Sequence, residues 1–126
     1  MTFAVWMGVA VIGGFGAVSR FLVDKAVTKH AAKRLSRPFP VGTLAVNVSG
    51  GAGLLGFFGG MALSPNAALL AGTAFVGAYT TFSTWMLETQ RLGEERQVWP
   101  AVANIVISVV LGLGAAWLGL TVGRLV

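Results

Sequence analysis

Four predominantly apolar runs, residues 3–23, 41–63, 67–87 and 98–122, take up most of a chain of 126 residues, and they decide the solvent it folds in. About 20 apolar residues carry a helix across the roughly 30 Å hydrocarbon core of a bilayer. A soluble domain spends about a quarter of its residues on Asp, Glu, Lys and Arg, whereas here the charged fraction is 10%, the hydrophobic fraction 56% and the mean hydropathy +0.80. The expected fold is an all-α integral membrane protein with four transmembrane helices, in which residues 1–126 form one domain whose partner is the lipid bilayer.

The connections carry their own signals. The run from Phe3 is too long for a signal-peptide core and lacks a small-residue cleavage pattern, so it reads as a retained helix. Two prolines in Arg37-Pro38-Phe39-Pro40 forbid a helix across that boundary. Ser64-Pro65-Asn66 reads as a tight turn, with Ser64 as N-cap and Pro65 at the first helical position. Pro100 falls in the first turn of the last helix. Glycine recurs at Gly8, Gly13, Gly14 and Gly16, from Gly50 to Gly60, and at Gly112, Gly114 and Gly119, which points to close helix packing where lipid supplies no hydrophobic drive.

Composition also removes whole classes of function. With no cysteine there is no thiol nucleophile, disulfide or thiolate metal site, and one histidine, His30, cannot build a His cluster. The net charge of +5 does not point to nucleic acid, because loop charges in a membrane protein first report orientation. Four crossings place Lys25, Lys29, Lys33, Arg34, Arg37, Arg91 and Arg96 on one side, against Arg124 alone on the other. The basic loops are expected in the cytoplasm and both termini outside, in a multi-pass protein of the inner (plasma) membrane.

Within the spans the informative residues are polar. Thr43 and Asn47 are four apart, with Gly51 continuing the stripe, and Asn104, Ser108 and Gly112 repeat the spacing on the fourth span. The third carries Thr73, Tyr79, Thr80, Thr81, Ser83 and Thr84. Any one of these reads as an interhelical hydrogen bond; three stripes together read as a polar path. No acidic residue lies inside a span, so a proton-coupled carrier lacks its titratable group. Arg20 is the one charge near the hydrocarbon, suited to anchoring at the interface or to positioning an anion. From Gly77 to Trp85 a glycine is followed by hydroxyl and β-branched residues, a poor continuous helix. A break near the midplane of the third span would free carbonyls suited to a hard cation such as sodium, while hydroxyls and electropositive aromatic rims suit an anion. Phe82 and Trp85, three apart, share one side of that helix.

These segments together resemble the Fluc/CrcB family of fluoride channels. The resemblance runs through all four spans in order: Gly13-Gly14-Phe15-Gly16-Ala17-Val18-Ser19-Arg20-Phe21, then Gly42-Thr43-Leu44-Ala45-Val46-Asn47-Val48-Ser49-Gly50, then Thr80-Thr81-Phe82-Ser83-Thr84, then Asn104 with Ser108 and Gly112. It implies a passive fluoride channel built as an antiparallel dimer. It further implies a structural sodium ion, not transported, on the backbone carbonyls of Gly77 and Thr80, and a fluoride pathway with Asn47 as donor and Phe82 as aromatic edge. Ser83, Thr84, Asn104 and Ser108 would extend the track, and Arg20 and Thr43 would support it. Trp85 belongs to the same implied pathway but stands where the family usually has phenylalanine, so either its indole rim or its N–H replaces a phenyl edge, or that ring has left the path; Ala78 stands where a second glycine is common.

Two rivals have the same size and plan. A small multidrug-resistance-type exporter needs a carboxylate in its first helix, which residues 3–23 lack; a non-transporting scaffold would leave three polar stripes as excess. The dimer carries a tension of its own. Antiparallel copies of one chain need near-zero charge bias, yet seven cations stand against one, so the partner is expected to be either a second copy or a homologous subunit of opposite bias.

Overall fold

The computed structural model describes residues 2–34 and 39–126, and among them every regular element is helical. Arg37 and Pro38 of the expected boundary lie outside the described residues. Helix α1 spans Phe3–Ala32, α2 Val41–Gly60, α3 residues 65–79, α4 Phe82–Glu94 and α5 Val98–Leu125. Of these, α1, α2 and α5 are each long and apolar enough to cross a membrane. Helices α3 and α4 follow one another with only Thr80 and Thr81 between them, both in extended backbone.

The turn at Ser64 forms as its chemistry dictates. The Ser64 hydroxyl accepts from the Ala67 N–H at 3.3 Å, with Pro65 opening α3. The first helix, in contrast, does not stop where its apolar run stops. Asp24 to Ala32 contains neither glycine nor proline, so α1 continues for nine residues past Val23, to a length of about 45 Å. Lys25 and Lys29 ride on that extension instead of lying in a loop. Helix α4 likewise runs past Leu87 to Glu94, where Arg96 in the left-handed region (φ 60°) closes the chain reversal.

Two stretches are wound as π-helix, Asn47–Leu54 in α2 and Leu69–Val76 in α3. The wider turn follows small residues: Ser49 and Gly50 leave the backbone uncrowded, and the Tyr79 ring lies directly against Gly50.

Packing is inverted relative to a soluble protein. Phe3, Trp6, Phe15, Trp99, Leu113 and Trp117 are exposed, while Thr43 and Asn104 are buried. Helix α2 lies along α5, α3 along α1, and α4 on α5. The α2–α5 seam runs backbone to backbone: a Cβ on Gly56 would strike the Ala116 carbonyl, one on Gly119 the Gly53 carbonyl, and one on Gly123 the Phe57 carbonyl. Gly114, on the same helix, faces open space among the described residues. Gly119→Ala should therefore lower stability in detergent by about 1–3 kcal/mol through overpacking, whereas Gly114→Ala should leave the melting temperature unchanged or slightly raised; equal effects on thermal unfolding would contradict this seam.

Candidate functional site

The interruption between α3 and α4 is held by one side chain. Asn47 donates its amide N–H to the Thr81 carbonyl at 2.8 Å and accepts the Thr81 N–H on its Oδ1 at 2.9 Å, satisfying both backbone groups that the extended residue removes from the helix. Thr81 then caps α4, its hydroxyl accepting from the Thr84 N–H at 3.1 Å. Thr80 N–H and Thr80 Oγ–H both turn back to the Val76 carbonyl, at 3.0 and 3.1 Å. In a continuous helix the Gly77 carbonyl would take the Thr81 N–H and the Thr80 carbonyl the Thr84 N–H. Both donors are engaged by side chains instead.

Two cavities flank Thr81. One, of about 250 Å³, is lined by Asn47, Thr80, Thr81, Phe82, Trp85 and Ser108. The other, of about 160 Å³, is lined by Arg20, Phe21, Asp24, Thr43, Val46, Thr81 and Thr84. Eight of the expected residues, Asn47, Thr80, Phe82, Trp85 and Ser108 in the first and Arg20, Thr43 and Thr84 in the second, thus gather in two groups that meet at the helix interruption, while Gly77, Ser83 and Asn104 line neither cavity. In the larger cavity the Phe82 and Trp85 rings meet edge to face, centroids 5.6 Å apart at 79°, and Phe82 is 70% exposed, so it does not fill the core of the chain. One amide N–H of Asn47 remains beyond the one given to Thr81. Ser108 Oγ is buried without a hydrogen-bond partner among the described residues.

Asn104 stands behind this cavity. It is fully buried; its amide donates to Thr89 Oγ1 at 2.8 Å, Thr89 Oγ–H donates to the Trp85 carbonyl at 2.8 Å, and the Trp85 indole N–H donates to the Asn104 carbonyl at 3.3 Å. Ser83 is exposed, its hydroxyl 3.5 Å from Thr81 Oγ1. Thr43 donates to Glu88 on α4, which brings a carboxylate to the helix interface because α4 outruns its apolar segment. Neither Thr89 nor Glu88 stood out in the sequence, since each is defined by a neighbour on another helix. Among the described residues no cluster of His, Cys, Asp and Glu could hold a metal ion.

Residues 7–120 match the family described as CrcB-like protein, Camphor Resistance (CrcB). Full-length relatives agree. The chain is 70% identical over 125 residues to "Fluoride-specific ion channel FluC 2" of Mycolicibacterium paratuberculosis, covering 99% of this chain and 98% of that protein. It is 67% identical over 119 residues to the FluC 2 protein of Mycobacterium tuberculosis, covering 94% and 90%. It is also 43% identical over 116 residues to "Fluoride-specific ion channel FluC 1" of Geobacillus kaustophilus, covering 92% and 95%. The chain belongs to the CrcB family. Its apolar helices and this membership make it a multi-pass protein of the plasma membrane, and the CrcB match contains every residue of both cavities.

The Asn47–Thr81 pair yields a stability test. Asn47→Ala strands a backbone donor and acceptor together, at about 1–3 kcal/mol each. The expected outcome is a melting temperature in detergent lowered by several degrees or more, with Asn47→Asp intermediate because it keeps the acceptor for the Thr81 N–H. An unchanged melting temperature in Asn47→Ala would remove the pair from its holding role.

Proposed function

We propose that this CrcB-family chain is a fluoride-selective channel through which fluoride leaves the cytoplasm passively. The observation that carries the reading is the larger cavity, where an amide side chain, a hydroxyl without a partner among the described residues and two aromatic rings line one space beside a helix interruption. Fluoride is small and strongly hydrated, so a path for it must replace lost water with donors. Asn47 and Ser108 supply conventional donors, and the Phe82 rim supplies a polarised C–H edge. Thr84, Thr43 and Arg20, on the far side of Thr81, continue the polar lining. Ser83 borders the track, and Asn104 acts from behind Trp85. The names borne by the relatives support the ion, and the absence of a carboxylate from the apolar part of the first helix weighs against a multidrug exporter.

The reading includes a third span broken near its midplane, made of α3 and α4, and a structural sodium ion on the Gly77 and Thr80 carbonyls. The donor set fits: those carbonyls lose their helical partners to Asn47 and Thr81, and carbonyl oxygens are ligands for a hard, non-transported cation. When bound, the ion supplies a fixed positive charge that offsets part of fluoride's dehydration cost. A Cβ on Gly77 would meet nothing within 4 Å among the described residues. That open face, with the exposed Phe82, supports a second subunit closing over the break as an antiparallel dimer.

Flux decides the function. In liposomes the protein should release fluoride and retain chloride; release of neither ion, with a monodisperse protein, would refute the channel. Phe82→Ile keeps bulk while removing the aromatic rim, so fluoride efflux should fall about tenfold or more with the oligomer intact, and undiminished efflux would return Phe82 to packing alone.

The charge bias tests the partner. A reporter fused to the C-terminus should signal only from the outer face, which requires an antiparallel partner to be a homologous chain of opposite bias. Equal signal from both faces would instead establish a dual-topology homodimer.

A further inference from the structure

The structure assigns Trp85 a positioning role: by occupying the Asn104 carbonyl, its indole N–H leaves the Ser108 hydroxyl free to donate into the cavity beside it. This rests on the channel reading and goes beyond it, since it separates Trp85 from direct contact with the ion.

Three threonine hydroxyls turn back on their own backbone, whereas Thr28 and Thr43 find carboxylates. Thr80, Thr89 and Thr121 each donate to the carbonyl four residues earlier, at 3.1, 2.8 and 2.8 Å, the ordinary fate of a helical hydroxyl. For Ser108 that acceptor is the Asn104 carbonyl. It has two lone pairs: one takes the helical N–H four residues on, and the other takes Trp85 Nε1–H at 3.3 Å. The carbonyl is saturated, and Ser108 Oγ is accordingly buried with no partner among the described residues, on the wall of the cavity it shares with Asn47 and Phe82.

The indole is locked in this duty. Thr89 donates to the Trp85 backbone and accepts the Asn104 amide, closing a ring of three hydrogen bonds between α4 and α5. Asn104 Oδ1, the nearest alternative acceptor along the helix, makes no bond to Ser108; its amide is held by Thr89. The indole N–H is thereby consumed, which leaves Trp85 only its ring, set nearly perpendicular to Phe82.

The test is a double-mutant cycle on fluoride efflux from liposomes holding the full-length protein. Ser108→Ala should cut efflux about tenfold or more, as expected for losing one hydrogen bond to a charged species. Trp85→Phe, which keeps a ring but frees the Asn104 carbonyl for Ser108, should cut it by a similar factor. The double variant should be no worse than Ser108→Ala. Losses that multiply, full efflux in Trp85→Phe, or full efflux in Ser108→Ala would each overturn the assignment. Benzothienylalanine at position 85 preserves bulk without the N–H and decides the matter should Trp85→Phe fold poorly. The Trp85 indole N–H resonance should not move on adding fluoride; a fluoride-dependent shift would make Trp85 a direct donor instead. A wild-type protein that passes no fluoride refutes the channel itself, an outcome distinct from any of these.

Discussion

The reciprocal pair between the Asn47 side chain and the Thr81 backbone is the interaction on which the rest of the site depends. A buried N–H or C=O left without a partner costs about 1–3 kcal/mol, so the two extended residues between α3 and α4 survive only if their polar groups are met from elsewhere. A primary amide is suited to this, because it offers donor and acceptor at the spacing of a peptide group, and Asn47 uses both at 2.8 and 2.9 Å. The consequences propagate outward. Thr81 is released to cap α4, Phe82 is set at the first turn of α4 with its ring exposed, and the carbonyls at Gly77 and Thr80 lose their helical partners. One side chain on α2 thus sets the geometry of the whole connection.

That pair needs a rigid platform, and glycine provides it. Where Gly56, Gly119 and Gly123 let α2 and α5 touch along their backbones, position is fixed by hard contact and not by interdigitated side chains. Nearer the start of α5, buried Asn104 joins that helix to Thr89 and Trp85 of α4. Large apolar residues are correspondingly displaced to the outside, where lipid accepts them. The molecule spends its small residues on precision and its large ones on solvation.

Much of this was legible in the sequence because the bilayer punishes exceptions. Asn47, Ser108, Arg20 and the Thr80–Thr81 stretch stand out against apolar surroundings, and the structure brings them to two adjoining cavities. The Ser64-Pro65 start of α3 was equally readable, being a local rule with a local cause. Tertiary choices were not. Nothing in the spacing says that the Trp85 indole would choose the Asn104 carbonyl, or that Thr89 would close the ring; such partners are set by which helices lie side by side. Hydropathy reports where the solvent changes, whereas a helix continues until its backbone is stopped, so the lengths of α1 beyond Val23 and of α4 beyond Leu87 were not legible from the apolar runs. The π-winding from Asn47 escaped for a related reason, since a periodicity of 3.6 presumes the winding it is used to detect.

The continuity of α1 sharpens the question of orientation. A basic loop can be pictured as a flexible segment whose charges fold away during insertion, but Lys25 and Lys29 sit on a helix continuous with the apolar span from Phe3, and Lys33 and Arg34 follow it at once. The extension amounts to about 13 Å at 1.5 Å per residue, well inside the distance over which Lys and Arg govern topology. Reversing this chain would mean carrying four cations across on a rod that cannot hide them. The expense of that reversal grows with each charge, whereas a separate chain bearing its cations on the other loops inverts at no such cost. For the antiparallel dimer proposed above, the geometry of α1 therefore favours dividing the two orientations between two polypeptides over their coexistence in one.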